Sequence, residues 1–355
     1  MSNKYYDGAK LLSLMDMNGQ KPEIYIVDSN RTAGKTTYFS RLQVNRFLKK
    51  GAKFAVLYRF KEEIKGDMST KYFSDIQKLF FKKYYMRHER KEGGLYAEFF
   101  IGKANDPEDK GESCGYAIPL NSSDKIKRLS HLFSDIDSIL FDELQPENSV
   151  YVPNEVEKFL SIHTSIARGN GEQKRYVPVY MCTNPVSLVN PYYVQLGISE
   201  RINDETKFLR GDGFVMEKHF NASASNAQKE SGISKAFSKN KYTDYGAEGI
   251  YLNDSSAFIE QPTGQSVYVC TLRYKGRDYA IREFTEQGIV YCDDRVDSTF
   301  SNRISVTTDD HQTNYVMLKR NDFFLSNLRY FFEQGAFRFK NLQCKEVVMQ
   351  ALSYK

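Results

Sequence analysis

The sequence predicts an α/β fold with a parallel sheet, followed by a smaller α+β domain. Apolar, β-branched segments alternate with amphipathic helical patterns up to about residue 195, which is typical of strand–helix–strand units. After about residue 266 the pattern becomes strand–turn–strand, which is typical of an antiparallel meander. The 355 residues correspond to roughly two domains of about 150 residues each.

The first strand–helix–strand unit surrounds a polar turn. Glu23–Asp28 is a short apolar run that predicts a strand. Thr36–Lys50 has apolar residues at helical spacing and is followed by Gly51, a residue favoured just after a helix end. Phe54–Tyr58 predicts a second buried strand. Strands joined by a helix in this way are expected to be parallel with a right-handed crossover.

The remaining elements of the α/β domain follow from the same periodicities. In chain order they are a helix at Lys71–Met86, a β-pair at Leu95–Ile101 and Cys114–Leu120, a strand at Ser138–Phe141, a helix at Asn154–Ala167 and a strand at Val177–Cys182. Asn221–Lys241 is rich in Ser, Ala, Asn and Lys, and predicts a linker or small helical module. The predicted domains are therefore residues 1–197, 198–248 and 249–355.

The C-terminal domain is predicted as a meander followed by two helices. The elements are strands at Val267–Tyr274, Tyr279–Phe284 and Ile289–Cys292, and helices at Asp322–Phe332 and Leu342–Leu352.

Composition and charge exclude several classes of protein. Hydrophobic residues are 41% and charged residues 27%, which is the balance of an ordered globular chain. The net charge of +5 is too small to indicate a nucleic-acid partner by itself. No segment approaches the roughly 18 apolar residues of a membrane span, and the N-terminus lacks a signal-peptide pattern. The five cysteines are far apart, so neither a zinc site nor a disulfide framework is predicted.

The sharpest functional signal is the turn between the first strand and the first helix. Its residues are Ser29, Asn30, Arg31, Thr32, Ala33, Gly34, Lys35, Thr36 and Thr37. A P-loop binds phosphate through backbone N–H groups at a helix N-terminus, a Lys and a hydroxyl that holds Mg²⁺. Gly34, Lys35 and Thr36 supply the end of that pattern, whereas Ser29 stands where the pattern has its first Gly. The local match alone leaves open an ordinary glycine-containing loop.

Two acids, Asp142 and Glu143, end a predicted strand about a hundred residues further on. In P-loop NTPases an Asp at this place belongs to the Mg²⁺ shell, and a Glu directly after it activates the attacking water. The alternative is a pair of exposed acids that end a strand. Together with Lys35 and Thr36, the two acids favour an NTPase that uses ATP and Mg²⁺.

Three further polar residues fit the same chemistry. Asn184 ends the next strand, where a polar group could touch the γ-phosphate, although Asn-Pro is also a common turn. Arg168, at the end of a predicted helix, is either an arginine finger or a partner of its own helix C-terminus. Arg31, inside the loop, is an alternative finger that would act on its own site.

At these residues the sequence resembles the DNA-packaging ATPases of small tailed bacteriophages, the encapsidation proteins related to large terminases. The resemblance rests on the P-loop Arg31–Thr37, which has an Arg four residues before the Lys and lacks the first Gly. It also rests on Ile139–Glu143, followed by Tyr151–Val156, and on Val186–Tyr192. The resemblance is clear over about residues 20 to 195 and fainter beyond.

The resemblance implies a ring ATPase, a pentamer, that docks at the portal of an empty capsid in the host cell cytoplasm and drives double-stranded DNA inward. It implies that Lys35 and Thr36 bind phosphate and Mg²⁺, that Asp142 binds the metal and that Glu143 is catalytic. Arg168 falls where the family has a trans-acting finger, although the loop after it looks longer here. In one branch the motor also docks on a packaging RNA, and the sequence leaves this open.

Two basic segments are candidates for contact with DNA phosphates. The preferred one contains Lys125, Lys127 and Arg128, just before the strand that bears the two acids, where family members have basic residues. The other is a cluster in which Lys83, Arg87 and Arg90 would share one face of the predicted helix. A solvated basic face is the alternative for this cluster.

Large terminases carry a C-terminal nuclease with a ribonuclease-H-like fold, and the resemblance implies such a domain here. A nuclease of this kind needs several carboxylates that converge on two metal ions. The first meander strand contains no acid, and Asp293 and Asp294 come only after the third. We therefore predict a vestigial nuclease domain that docks or binds DNA without cutting it. A helicase, or a structural portal-docking protein with a degenerate nucleotide site, stays open as an alternative function.

Overall fold

The computed structural model describes residues 5–66, 70–106, 108–168, 173–199, 201–202, 205–249, 251–252, 258–318 and 322–352. The chain forms two compact units, Met1–Leu252 and Asn253–Lys355. Among the residues described, none of the helices has the length and apolar character needed to cross a membrane.

The first unit is built on a nine-stranded sheet. Its strands are β1 (Ile24–Ser29), β2 (Lys53–Tyr58), β3 (Tyr84–Lys91), β4 (Tyr96–Lys103), β5 (Glu112–Pro119), β6 (Ile136–Phe141), β7 (Val179–Thr183), β8 (Phe208–Gly211) and β9 (Phe214–His219). Their order is β3-β4-β5-β2-β6-β7-β1-β9-β8. The six strands from β5 to β9 in this order are parallel, which confirms the predicted parallel sheet.

Helices cover both faces of this sheet. They are α1 (Ala9–Ser13), α2 (Lys35–Lys50), α3 (Lys71–Phe80), α4 (Ser123–Ile126), α5 (Glu155–Ala167), α6 (Pro191–Gln195), α7 (Ala222–Lys229), α8 (Gly232–Ala236) and α9 (Lys241–Glu248), with 3₁₀ helices at Lys61–Ile64, Leu120–Ser122 and Lys127–Phe133. Phe39 of α2 and Phe73 of α3 belong to one buried apolar cluster, and Phe159 and Ile162 of α5 belong to the other. Because both faces are buried, the central strands are continuously apolar.

The predicted helix over residues 71–86 is wrong in its second half. α3 ends at Phe80, and β3 pairs antiparallel with β4 from Tyr84 opposite Lys103 to Lys91 opposite Tyr96. This pairing satisfies the backbone groups of a segment whose local pattern favoured a helix. Lys83, Arg87 and Arg90 therefore do not share a helix face, and on a strand Arg87 and Arg90 point to opposite faces of the sheet.

The structure divides the chain differently from the sequence-based boundaries at residues 197 and 248. β9 pairs in parallel with β1 along its whole length and is buried on both faces, by Phe214 and Met216 on one side and Val215 on the other. The predicted linker or small helical module, residues 198–248, therefore contributes an interior strand to the sheet, and its helices α7 to α9 belong to the same unit.

The second unit contains a six-stranded sheet and two helices. The strands are β10 (Val267–Tyr274), β11 (Arg277–Phe284), β12 (Ile289–Asp293), β13 (Arg303–Ser305), β14 (Val316–Met317) and β15 (Phe337–Phe339), and the helices are α10 (Asp322–Glu333) and α11 (Leu342–Leu352). The strand order is β14-β13-β10-β11-β12-β15. β10 to β12 form the predicted antiparallel meander, and β13 pairs in parallel with β10, as in ribonuclease-H-like sheets.

Candidate active site

The turn between β1 and α2 has the geometry of a phosphate-binding loop. Gly34 has φ +95°, and a Cβ there would lie 3.1 Å from the Tyr5 ring, so the position requires glycine. Directly after it begins a helix of 16 residues. The free N–H groups and the positive dipole end of such a helix favour an anion.

Lys35 is buried, and its ammonium lies among the oxygens of the turn. Nζ donates to the Ser29 carbonyl oxygen at 3.0 Å and to the Ser29 Oγ at 2.9 Å. It also donates to Asn184 Oδ1 at 2.8 Å, so the residue predicted to touch the γ-phosphate contacts the loop lysine directly. Burial lowers the pKa of Lys35, because the charged form loses solvation, while nearby acidic groups, including Asp28, oppose this shift.

Thr36 and Asp142 face each other across the site. Thr36 Oγ1 donates to Asp142 Oδ1 at 2.9 Å. Burial raises the pKa of Asp142 to about 6, and the hydrogen bond from Thr36 works in the opposite direction. A hydroxyl and a carboxylate are oxygen ligands suited to Mg²⁺, and a divalent cation would compensate the buried carboxylate charge. The two residues therefore fit a magnesium site.

Glu143 follows Asp142 on a strained turn that Arg59 holds in place. Glu143 has φ +52°, a left-handed conformation that non-glycine residues rarely adopt. Arg59 Nη1 donates to the Glu143 carbonyl oxygen at 2.6 Å, and Nη2 donates to the carbonyl oxygen of Leu144. The same guanidinium pairs with Glu155, with Nη2 and Oε1 3.0 Å apart and both side chains buried. A buried ion pair thus fixes the backbone that carries Glu143.

The phosphate-binding turn and the ends of β6 and β7 line one cavity of about 270 Å³. Its walls include residues 31–37 of the turn, both acids and Asn184. The structure therefore brings together the loop, the two acids and the polar residue that were predicted from separate parts of the sequence.

Comparison with known proteins agrees with this geometry. Residues 2–354 match the family model of the Podovirus DNA encapsidation protein (Gp16). The chain belongs to this family. The DNA packaging protein of Bacillus phage phi29 is 26% identical over 324 residues, which is 90% of each chain. That of Bacillus phage B103 is 27% identical over 315 residues, which is 88% of this chain and 90% of the relative.

Solved structures show the same fold. A chain of the bacteriophage Phi-29 viral genome packaging motor assembly has a TM-score of 0.68 and 24% identity, over 98% of this chain and 100% of that chain. The Phi-28 gp11 DNA packaging motor has a TM-score of 0.57 and 15% identity, over 100% and 99%.

Within this encapsidation-family chain, Arg31 is bound by residues outside the loop. Its guanidinium forms an ion pair with Glu147 and a hydrogen bond with the Tyr242 hydroxyl. Tyr242 and Tyr245 each donate to the Glu147 carboxylate at 3.1 Å. The charge of Arg31 is therefore balanced inside the subunit by a carboxylate that lies four residues after Glu143.

Arg168 is the exposed residue that directly follows α5, and Arg175 donates hydrogen bonds to the last carbonyl groups of that helix. Arg175 donates its backbone N–H to Ala167 at 2.8 Å and its Nη2 to the carbonyl oxygens of Ile166 and Ile136 at 2.9 and 3.2 Å. Ile136 begins β6, so Arg168 lies at the amino edge of the sheet, whereas the phosphate-binding turn lies at the carboxyl edge. At about 3.3 Å per residue, the six residues of β6 separate the two edges by about 20 Å. The adjoining loop, residues 169–172, lies outside the described residues.

The preferred basic segment is connected to the site through the backbone. Lys125, Lys127 and Arg128 are all exposed, while Ile126 between them is buried. The N–H of Asn121, just before this segment, donates to the Arg59 carbonyl oxygen at 3.1 Å. The three basic side chains therefore lie on a segment joined to the residue that holds the Glu143 turn.

Sequence reasoning missed the residues that surround the loop from distant segments. Asn221 N–H donates to Asn30 Oδ1 at 2.9 Å, and Gln228 Nε2 donates to Thr32 Oγ1 at 2.9 Å. Glu147 and Arg59 were missed as well. Arg59 had one available signal, a charged residue directly after a core strand. The contacts of residues 221–245 join segments that are about one hundred to two hundred residues apart in sequence.

Proposed function

We propose that this chain is an ATP-driven motor that translocates double-stranded DNA through the portal into a preformed capsid. Its relatives are DNA packaging proteins, and the structure most like it among those compared above is a chain of a viral genome packaging motor assembly. One observation carries the proposal. The chain has a turn with the geometry of a phosphate-binding loop at one edge of the sheet and an exposed arginine, Arg168, at the opposite edge, and the length of β6 puts these edges about 20 Å apart.

In the proposed reaction, the turn binds the β- and γ-phosphates through its N–H groups and Lys35. Thr36 and Asp142 would hold Mg²⁺, which supplies charge neutralisation at the transferred phosphate. Glu143 takes a proton from the attacking water as general base. Asn184, which contacts Lys35, is positioned to contact the γ-phosphate. Arg59 fixes the Glu143 turn and is a positioning residue.

The nucleoside fits a second cavity that adjoins the first. This cavity, of about 480 Å³, shares Tyr5, Gly34 and Thr37 with the phosphate cavity. It is lined by aromatic rings, including Tyr38 and Phe80, on which a base can stack. The lining residues that it shares with the phosphate cavity support a nucleoside triphosphate as the ligand.

The transition state needs a further positive charge, and we assign it to Arg168 of a neighbouring subunit. Arg168 is too far from its own site to contribute there, and Arg31 is already paired with Glu147. A finger that acts in trans requires a closed ring, for which we propose a pentamer docked on the portal in the host cell cytoplasm. Ribonuclease treatment of the docked complex tests whether a packaging RNA takes part.

DNA contact is assigned to Lys125, Lys127 and Arg128. A motor must hold DNA of any sequence, so contacts to phosphates should dominate and binding should weaken as salt rises. The bond from Asn121 to Arg59 gives this segment a direct connection to the Glu143 turn.

Steady-state ATP hydrolysis with empty, portal-bearing capsids tests the proposal. Stimulation by these capsids rather than by free DNA ends is expected of a packaging motor. Stimulation by free DNA alone would favour the helicase alternative, and no hydrolysis at all would favour a structural docking protein.

Substitution of Arg59 by lysine should reduce kcat for ATP hydrolysis about tenfold or more and change KM little. Lysine keeps a positive charge beside Glu155 but lacks the forked guanidinium that reaches both carbonyl oxygens. Steady-state kinetics measure the effect, and the melting temperature of the variant shows whether the fold is retained. A folded variant with unchanged kcat would contradict the proposal that Arg59 positions the Glu143 turn.

The second unit should not cleave DNA. Asp293 is paired with Arg282 at 2.9 Å, and Asp294 is paired with Lys340 at 2.6 Å, so each acid has a cation where a nuclease would need a metal. Over the described ranges, no three His, Cys, Asp or Glu side chains form a group that could hold a metal ion. We expect supercoiled plasmid to stay intact with the full chain and Mg²⁺ or Mn²⁺. Nicking that disappears in Asp293→Ala would contradict this.

A further inference from the structure

The helical module after β9 exposes apolar side chains beside the phosphate-binding turn. Ile233 of α8 is 73% exposed, and Phe237, four residues further on, is 61% exposed. With Tyr242 they line a groove of about 620 Å³, and Arg31 of the turn lines the same groove. Exposed apolar residues that cluster in this way are typical of an interaction surface, so we expect a binding partner in this groove.

A matching surface exists elsewhere on the same unit. The solvent-exposed residues of α5 are Glu157, Leu160 and Thr164, and the exposed residue that directly follows the helix, Arg168, continues the same stripe. Their spacing of three or four residues puts them on one face of the helix. Leu160 is 51% exposed and is the apolar member of a stripe that ends in the proposed finger.

We propose that the occupant of the α8 groove is the α5 stripe of a neighbouring copy of this chain. This inference rests on the proposed trans action of Arg168 and adds the contact that delivers it. Leu160 of the neighbour packs between Ile233 and Phe237, and Arg168 enters the phosphate cavity past Arg31.

Spacing supports this pairing. Leu160 and Arg168 are eight residues apart, which is about 12 Å along a helix. Ile233 and Phe237 line the groove together with Arg31, and Arg31 also lines the phosphate cavity. A stripe of this length can therefore contact the apolar side chains of the groove and extend to the nucleotide site.

Charge supports it as well. Lys235 and Lys239 are exposed on either side of Phe237. Glu157 lies one helical turn from Leu160 and reaches these lysines when Leu160 is seated. Opposite charges at the rim of an apolar contact favour one partner and one orientation. The charges select a second copy of this chain over an unrelated apolar ligand.

Cysteine crosslinking tests the contact directly. All five native cysteines are buried, so a cysteine placed on the surface is the reactive one. Leu160→Cys and Phe237→Cys chains are mixed on portal-bearing capsids and treated with a short bismaleimide. We expect a covalent dimer in the mixture and none with either variant alone. The control replaces Phe237→Cys with Met17→Cys, which is 62% exposed and lies outside both surfaces.

The outcomes separate the contact from the proposed function. A dimer yield no higher than the Met17→Cys control, in rings counted on the portal, would overturn the contact. ATP hydrolysis is measured in parallel with wild-type chains on the same capsids. Hydrolysis by wild-type chains without a crosslink between the cysteine variants rejects this interface and leaves the motor in place, whereas a crosslink without wild-type hydrolysis supports the interface and rejects the motor. Phe237→Asp should lower capsid-stimulated hydrolysis at least tenfold, and wild-type hydrolysis in that variant would also contradict the contact.

Discussion

Lys35→Ala should abolish ATP hydrolysis and DNA packaging together. The Lys35 ammonium is held inside the turn by Ser29 and Asn184, at the place where β- and γ-phosphates would lie. Alanine removes the charge that stabilises the transferred phosphate, and loss of one preorganised donor of this kind lowers kcat by at least about a hundredfold. Phosphate release by rings on portal-bearing capsids measures the effect.

Lys50→Ala is the matched control, because Lys50 lies at the other end of the same helix and is exposed. It should hydrolyse ATP at the wild-type rate. Melting temperatures of both variants show whether the fold is intact. Near wild-type turnover in a folded Lys35→Ala variant would remove the phosphate-binding assignment of the turn.

The central architecture could be predicted because its signals are local. β1, the turn and α2 combine a continuous apolar run, a glycine that must adopt a positive φ and helical periodicity within 27 residues. The acids after β6 and the amide after β7 follow buried strands, and carboxyl ends of neighbouring parallel strands meet at one edge of a sheet. The expectation that these groups converge therefore needed only the order of the elements.

The parts that could not be predicted depend on contacts between distant segments. β3 carries a helical local pattern, but pairing with β4 decided its conformation. β9 lies in the segment predicted as a linker or small helical module and was missed, because only its pairing with β1 makes its apolar residues a buried strand. The bonds of Glu147, Gln228 and Tyr242 to the turn leave no periodicity or motif in the sequence.

Mixing two inactive variants should restore ATP hydrolysis. Arg168→Ala lacks the finger, and Glu143→Gln keeps size and polarity but cannot accept a proton, so each is expected to be nearly inactive alone. A trans-acting finger contributes about a thousandfold or more to turnover. In rings mixed at equal amounts, roughly a quarter of the head-to-tail interfaces join an intact Glu143 to an intact Arg168 of the adjacent subunit. Those interfaces should hydrolyse ATP.

The recovered rate identifies where the finger acts. If Arg168 served its own subunit, every site in a mixed ring would lack one of the two groups, and no activity would return. The position of Arg168 at the amino edge of the sheet, beside the start of β6, argues against such cis action, because its own phosphate site is at the other edge.

Subunit exchange is verified by the crosslink between Leu160→Cys and Phe237→Cys, introduced into the two variants. Mixed rings that form this crosslink but do not hydrolyse ATP would exclude trans action by Arg168. Arg31 would then be the preferred finger, and release from Glu147 would be the step that frees it.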